Sequence, residues 1–248
     1  MGDDSVIMTI QVERVPYQEV EALRDLYRQE AHCQIVCDSA LRRGMADPYL
    51  IVARGRRAGY GAMWNGDTKQ IMEFYTLPPV RAQALSLFRE FLAITQATSI
   101  EAQTNMPLML MMLYDCATDI ATESILFEDA FVTALACPHA IFRRTRPDDA
   151  IQEGDWSLEA DGAIVAWGGF LCHYNPPYGD VFMGVVESAR RQGFGSYLVQ
   201  EVKRVCYEAG KKPAARCSPT NIASRKTLEK AGFVPCGRLL VGKVDTAA

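Results

Sequence analysis

Residues 185–196, Val-Val-Glu-Ser-Ala-Arg-Arg-Gln-Gly-Phe-Gly-Ser, constrain this chain more than any other stretch, because an apolar run ends there in arginines and glycines and then becomes helical. Val181, Phe182, Met183, Val185 and Val186 form the strand-like run, while Leu198, Val202, Val205, Cys206 and Ala209 recur at the spacing of one helix face. A strand therefore feeds a helix through Arg190, Arg191, Gln192, Gly193, Phe194 and Gly195. Glycine accepts positive φ and lets a ligand approach the main chain. The unpaired N–H groups of a helix's first turn, with its dipole, attract anions. The layout predicts a pyrophosphate held by N–H groups of Gln192 to Ser196, with Arg190 or Arg191 beside it. It is neither the three-glycine dinucleotide turn nor the ATP loop with its Lys and Ser or Thr, so nucleotide hydrolysis is disfavoured.

Further on, Pro213–Cys217 reads as a short strand, and Asn221 opens a helix that stops at Gly232. Asn suits the N-cap and Gly the left-handed position after the last turn. The spacing Arg190-x-x-Gly193-x-Gly195 after a strand resembles the acetyl-CoA-binding signature of the GNAT N-acetyltransferase superfamily. Asn221, Ser224, Gly232 and Phe233 resemble that family's second signature, and the likeness covers roughly residues 163–243. It implies an α/β (α+β) fold of GNAT-like domains, each a mixed, mostly antiparallel twisted sheet flanked by helices. It further implies acetyl-CoA as co-substrate, with no metal. By the same resemblance, residues 181–186 and 213–217 part to admit the pantetheine arm, and backbone groups around Met183, Val185 and Val186 hold it. Asn221 and Ser224 complete the cofactor-binding set.

An internal repeat organises the rest. Laying residues 49–63 over 156–170 pairs Ala53 with Ala160, Gly55 with Gly162 and Gly61 with Gly168, each segment reading as a hairpin that turns at Arg54-Gly55 or Asp161-Gly162. Residues 74–81 align with 183–190, and Thr104-Asn105 with Thr220-Asn221. Two domains are expected, a degenerate GNAT-like one over 1–138 and a catalytic one over 139–248. Ala84 and Ser86 stand where the second half has Gly193 and Gly195, so the first cradle should be lost, its helix kept for packing through Leu85, Leu87, Phe88, Phe91 and Leu92. The run Met106–Leu113 reads as core filler. Helical residues 17–44, with Val20, Leu23, Leu26 and Tyr27 on one face, have no counterpart between Phe142 and Trp156. In the family this region walls the acceptor site, so the first half is expected to supply that wall.

Acyl transfer needs a base for the attacking amine, donors for the oxyanion and a proton for the leaving thiolate. Many family members place a tyrosine seven residues after the second-signature Asn, but here that residue is Leu228. Cys217, Tyr174, Ser218, Tyr178 and a water chain are the substitutes, and Glu187, Asp180 and His173 are the candidate bases. Each has a plain structural role open to it: Cys217 as strand core, Ser218 as a turn residue, Glu187 as a solvated carboxylate near a helix N-terminus.

Composition narrows the class. Eight cysteines in 248 residues show no zinc spacing, and reduced thiols are expected. His32, Cys33 and Cys37 come nearest to a metal group but read as a helix face. A net charge of −4 argues against a nucleic-acid partner and suits a cationic amine. No apolar run spans a bilayer and the N-terminus is acidic, with no myristoylation pattern, so a cytoplasmic monomer or homodimer without a membrane partner is expected. Two functions stand: an acetyl-CoA-dependent N-acetyltransferase acting on a primary amine of a small molecule or peptide, and a non-catalytic CoA-binding sensor or interaction protein.

Overall fold

A computed structural model describes residues 9–30, 38–173 and 176–244. They divide by contacts into two units, 9–30 with 38–123 and 239–244, and 124–173 with 176–238. The first holds β1 (Ile10–Arg14), α1 (Tyr17–Gln29), α2 (Asp38–Arg42), β2 (Ala46–Ala53), β3 (Arg56–Trp64), β4 (Gln70–Thr76), a 3-10 turn (Pro78–Gln83), α3 (Ala84–Thr95), β5 (Ser99–Gln103) and α4 (Pro107–Cys116). After β6 (Ala117–Asp129), the second holds β7 (Ala140–Arg144), β8 (Trp156–Ala160), β9 (Ala163–Leu171), β10 (Tyr178–Val185), a 3-10 turn (Glu187–Ala189), α5 (Phe194–Glu208), β11 (Lys212–Cys217) and α6 (Ile222–Lys230), and β12 (Phe233–Val244) ends the fold.

Both units are built alike. An antiparallel run, β1 to β4 or β7 to β10, is followed by a helix that crosses over to one parallel strand, β5 beside β4 or β11 beside β10. The expected mixed α/β class, mostly antiparallel sheet flanked by helices, is what is observed. Both hairpins turn where expected, with Arg54, Gly55, Asp161 and Gly162 all at positive φ.

The closing strands are exchanged. Residues Leu239–Lys243 of β12, after α6, pair with Gln103–Ser99 of β5 in the first unit, whereas Ile125–Glu128 of β6, after α4, pair with Cys217–Ala214 of β11 in the second. The units therefore change at 123/124 and again at 238/239, where the repeat pattern put a boundary at 138/139.

Side-chain burial follows the periodicity with two departures. On α5, Leu198, Val202, Val205 and Cys206 are buried, and Ala209 is exposed because the helix has already ended. On α1, Val20, Leu23 and Tyr27 are buried but Leu26 is 39% exposed, since it lies a quarter turn off that stripe. Met106, Met109 and Met112 fill the first unit's core while Met111 faces outward. Between β7 and β8 no helix forms. Arg143 pins the connection instead, donating to both Asp149 oxygens at 2.7 and 2.8 Å and to Glu159 at 2.8 Å, and this holds the Asp149 carboxyl down at about 2.

The first unit's core contains a buried ion pair. Arg24 on α1, 1% exposed, donates through Nε and Nη2 to Glu73 on β4 at 2.8 Å each, and the Tyr60 hydroxyl donates to the same carboxylate at 2.7 Å. Burial, and then the charge of Glu73, push the Tyr27 and Tyr60 hydroxyls well above the ordinary phenol range, so both stay protonated donors. Replacing one partner strands the other charge in the core. Arg24→Met should lower stability by about 3 kcal/mol or more, read by urea unfolding followed by circular dichroism; a loss below about 1 kcal/mol would show that Glu73 finds another partner.

Candidate functional site

The site begins where β10 and β11 part. Their parallel register runs from Tyr178/Lys212 to Val181/Ala215 and stops there, although β10 continues to Val185 and β11 to Cys217. On its other edge β10 stays paired with β9 as far as Val185/Ala166. Backbone groups alternate between the two edges of a strand, so half of those between Phe182 and Val185 face the gap. Arg216 donates to Asp180 Oδ2 at 3.0 and 3.3 Å, tying the two strands at the point of separation.

The cradle lies at the end of the opened strand. A 3-10 turn, Glu187–Ala189, leads into Arg190, then Arg191 and Gly193 take left-handed φ values of 64° and 92°, and α5 starts at Phe194. The first intrahelical bond here is Tyr197 N–H to Gly193 O, 3.1 Å, so the N–H groups of Phe194, Gly195 and Ser196 point out of the helix end. Gly193 is required by its φ, since a Cβ there would meet nothing within 4 Å. At Gly195 the space is tight: a Cβ would lie 3.1 Å from Val185 and 3.3 Å from Thr227. Its absence lets α6 close on α5. That helix is capped as the pattern predicts, Asn221 Oδ1 accepting from Ser224 N–H at 3.0 Å, and Gly232 follows it at φ 93°.

Gap and cradle form one cleft of about 1000 Å³ within the second unit. Its walls are Met183, Gly184 and Val185 of β10, Arg190, Arg191 and the Gly193–Ser196 turn, and Asn221, Ile222, Ala223, Ser224, Lys226, Thr227 and Lys230 on the α6 side. Four cations and one carboxylate, Glu187, line it in a chain whose net charge is −4. Ten of the twelve residues expected to hold the cofactor line this cleft. Two others of that set stand back from the cleft: Val186 donates its N–H to Val165 O at 2.9 Å, and Gln192 reaches the Ser188 carbonyl at 3.2 Å. Lys226, Thr227 and Lys230 were missed, because lysines on a helix read as a solvated face.

The candidate proton carriers scatter. Glu187 is exposed and lines the cleft. Cys217 is buried in the core with Leu198, Phe233 and Leu228, outside the cleft lining; burial pushes its thiol up, against a smaller downward pull from Arg225. Leu228 is core, as its apolar side chain requires. Ser218 shapes a turn, accepting from Thr220 N–H at 3.3 Å. Asp180 is the partner of Arg216, Tyr178 opens β10 and His173 is exposed. Tyr174 lies outside the described residues, as do His32, Cys33 and Cys37. Among the described residues no group of acids, histidines and cysteines is arranged to hold a metal, and no helix is long and apolar enough to cross a membrane.

The first unit has the same geometry, filled. β4 and β5 pair only at Gln70/Ser99 and Ile71/Ile100 before separating, yet the space there amounts to about 20 Å³, lined by Tyr27, Glu30, Tyr75 and Met106 to Met109. Arg81, matching Arg190, donates to the Thr76 carbonyl at 2.7 Å and to Glu30 at 2.9 and 3.1 Å, with its guanidinium over the Tyr75 ring. Before α3, Gln83 has φ −104° and no left-handed residue precedes the helix.

Residues 121–233 match the model of the Acetyltransferase (GNAT) family. Among solved structures, a GNAT-family acetyltransferase from Colwellia psychrerythraea is 14% identical with TM-score 0.76, covering 96% of this chain and all of its own. A tandem GNAT protein from the clavulanic acid biosynthesis pathway is 12% identical with TM-score 0.62, over 97% of this chain and all of its own. A GCN5-related N-acetyltransferase from Sphaerobacter thermophilus is 16% identical with TM-score 0.61, over 94% and 95%. No curated protein matches the sequence. Residues 121–233 are thus a GNAT acetyltransferase domain, and the GNAT fold extends over nearly the whole chain. Acyl transfer is the chemistry of that family.

The thiols give a direct check on this geometry. Burial pushes Cys206 up to about 12 and raises Cys217, whereas Cys172 is exposed. Iodoacetamide at pH 8 should alkylate Cys172 at least roughly tenfold faster than either, as mapped by mass spectrometry. Labelling of Cys217 at the rate of Cys172 would put its thiol within reach of the cleft.

Proposed function

We propose that the chain is an acetyl-CoA-dependent N-acetyltransferase that acylates a primary amine of a small molecule or peptide, using the second unit's cleft alone. One observation carries this reading: a strand freed from its neighbour runs directly into a glycine-opened helix end walled by cations. An extended pantetheine arm needs backbone partners along its length and a pyrophosphate needs N–H groups and positive charge at its end. The parted strand and the cradle offer the two in that order. Acetyl-CoA supplies a thioester whose carbonyl carbon accepts the amine.

The chain's own groups then have separable tasks. The gap-facing N–H groups of β10 around Met183 to Val185 hold the arm and polarise the carbonyl, and orientation supplies much of the rate. Amine nitrogen bonds to the carbonyl carbon, the carbon–sulfur bond breaks, and the amine proton leaves to a base. Glu187 is assigned that proton because it is the one carboxylate lining the cleft. With Leu228 in the core and Cys217 buried among apolar side chains, the departing thiolate takes its proton from water. The first unit, its gap occupied by Tyr27, Tyr75 and Met106 and its cradle arginine engaged by Glu30, carries no CoA. The non-catalytic alternative, a CoA-binding sensor, is favoured by one observation only, the leucine at the position where the family's tyrosine acid stands.

Two experiments test this. Incubation with acetyl-CoA and a panel of primary amines should release free thiol with one CoA bound per chain, and Gly193→Val should abolish binding with the fold intact by circular dichroism. Binding without thiol release across the panel would favour the sensor. Glu187→Gln should lower kcat/KM by roughly a hundredfold; an unchanged kcat/KM would take Glu187 out of the mechanism.

A further inference from the structure

We propose that Lys226 and Lys230 read the 3′-phosphate of coenzyme A, so that the cleft selects 3′-phosphorylated thioesters over dephospho-CoA; this rests on the reading of the cleft as a CoA site. Both lysines line the cleft from α6. Four residues apart on a helix, they project from the same face about 6 Å apart along its axis. The single carboxylate of α6, Glu229, accepts from Arg225 at 2.8 Å. Among the described residues, neither lysine has a carboxylate or hydrogen-bond partner. Lys230 in the last turn also offsets the helix dipole, but Lys226 in mid-helix has no such role.

The charge present exceeds what a pyrophosphate needs. Arg190, Arg191 and the N–H groups at the start of α5 already match a dianionic diphosphate, and the lysine pair adds two more cations on the opposite wall. Coenzyme A carries its third phosphate on the same ribose as the pyrophosphate, one sugar ring away, and as a terminal monoester it concentrates about −1.5 to −2 of charge on a single phosphorus. Ammonium groups on flexible stems act on such a terminus as mobile point charges. Ile222, 53% exposed on the same wall, offers an apolar surface for the adenine.

Calorimetric titration of the full chain with CoA and with dephospho-CoA at low ionic strength tests this, in the wild type and in a Lys226→Gln/Lys230→Gln variant. Exposed ion pairs are individually weak, so the wild type should bind dephospho-CoA roughly tenfold less tightly than CoA. The variant should bind CoA as the wild type binds dephospho-CoA, with its affinity for dephospho-CoA unchanged. Equal wild-type affinities, or an equal loss for both ligands in the variant, overturns the assignment while leaving the CoA site in place. Failure of the wild type to bind either ligand overturns the CoA reading with it.

Discussion

The loss of pairing between β10 and β11 after Val181/Ala215 is the constraint on which the rest of the second unit depends. A parallel pair that ends early leaves backbone donors and acceptors on an inner edge, where unsatisfied groups are costly. Such a gap is tolerable if the ends are anchored and the freed groups meet water or a ligand. Both conditions are visible. The Arg216 to Asp180 ion pair clamps the strands at the fork, β9 holds the other edge of β10 to Val185, and a wide cleft keeps the inner edge accessible. The helix that follows must start at the open end of the fork, which is why its N-terminal N–H groups and the free strand edge border one cleft.

The first unit shows what the same fork becomes when it is closed from within. β4 leaves β5 even earlier, after Ile71/Ile100, but Tyr27, Tyr75 and Met106 occupy the space, and Arg81 spends its donors on Glu30 and Thr76. The two units thus share strand order and crossover while differing in the side chains at the fork. Ala84 and Ser86 stand where Gly193 and Gly195 stand, and Met106-Pro107 opens α4 without a side-chain cap where Asn221 caps α6. Packing and ligand binding are competing uses of one gap, and a few side chains decide which prevails.

These differences also explain what could be read from sequence. The glycine turn, the Asn cap, both hairpin turns and the α5 stripe are set by neighbours within a few residues, so local spacing reports them. The strand exchange is not local. Nothing in Leu239–Lys243 says that its partner is β5 rather than a strand of the second unit, because alternating apolar residues would suit either edge. Cys217 and Val186 show a related limit: residue type and approximate place were legible, but which way the side chain or amide faces depends on register. The lysines of α6 were invisible for the opposite reason, since an i, i+4 lysine pair is the commonest dress of a solvated helix, and only the nearness of α6 to α5 at Gly195 brings them into a site.

That nearness bears on how an acidic protein holds a polyanion. At a net charge of −4 the distant field of the chain opposes the approach of a nucleotide thioester, and beyond about 8 Å at physiological ionic strength the opposition is screened away. Capture therefore falls to charges inside the screening distance, and the cleft concentrates four cations there while Glu229 is held on Arg225. Segregating charge in this way lets the cleft attract a polyanion while the rest of the surface stays acidic. A neutral chain with the same cleft would present the same local field, because only charges within the screening distance act on a ligand there.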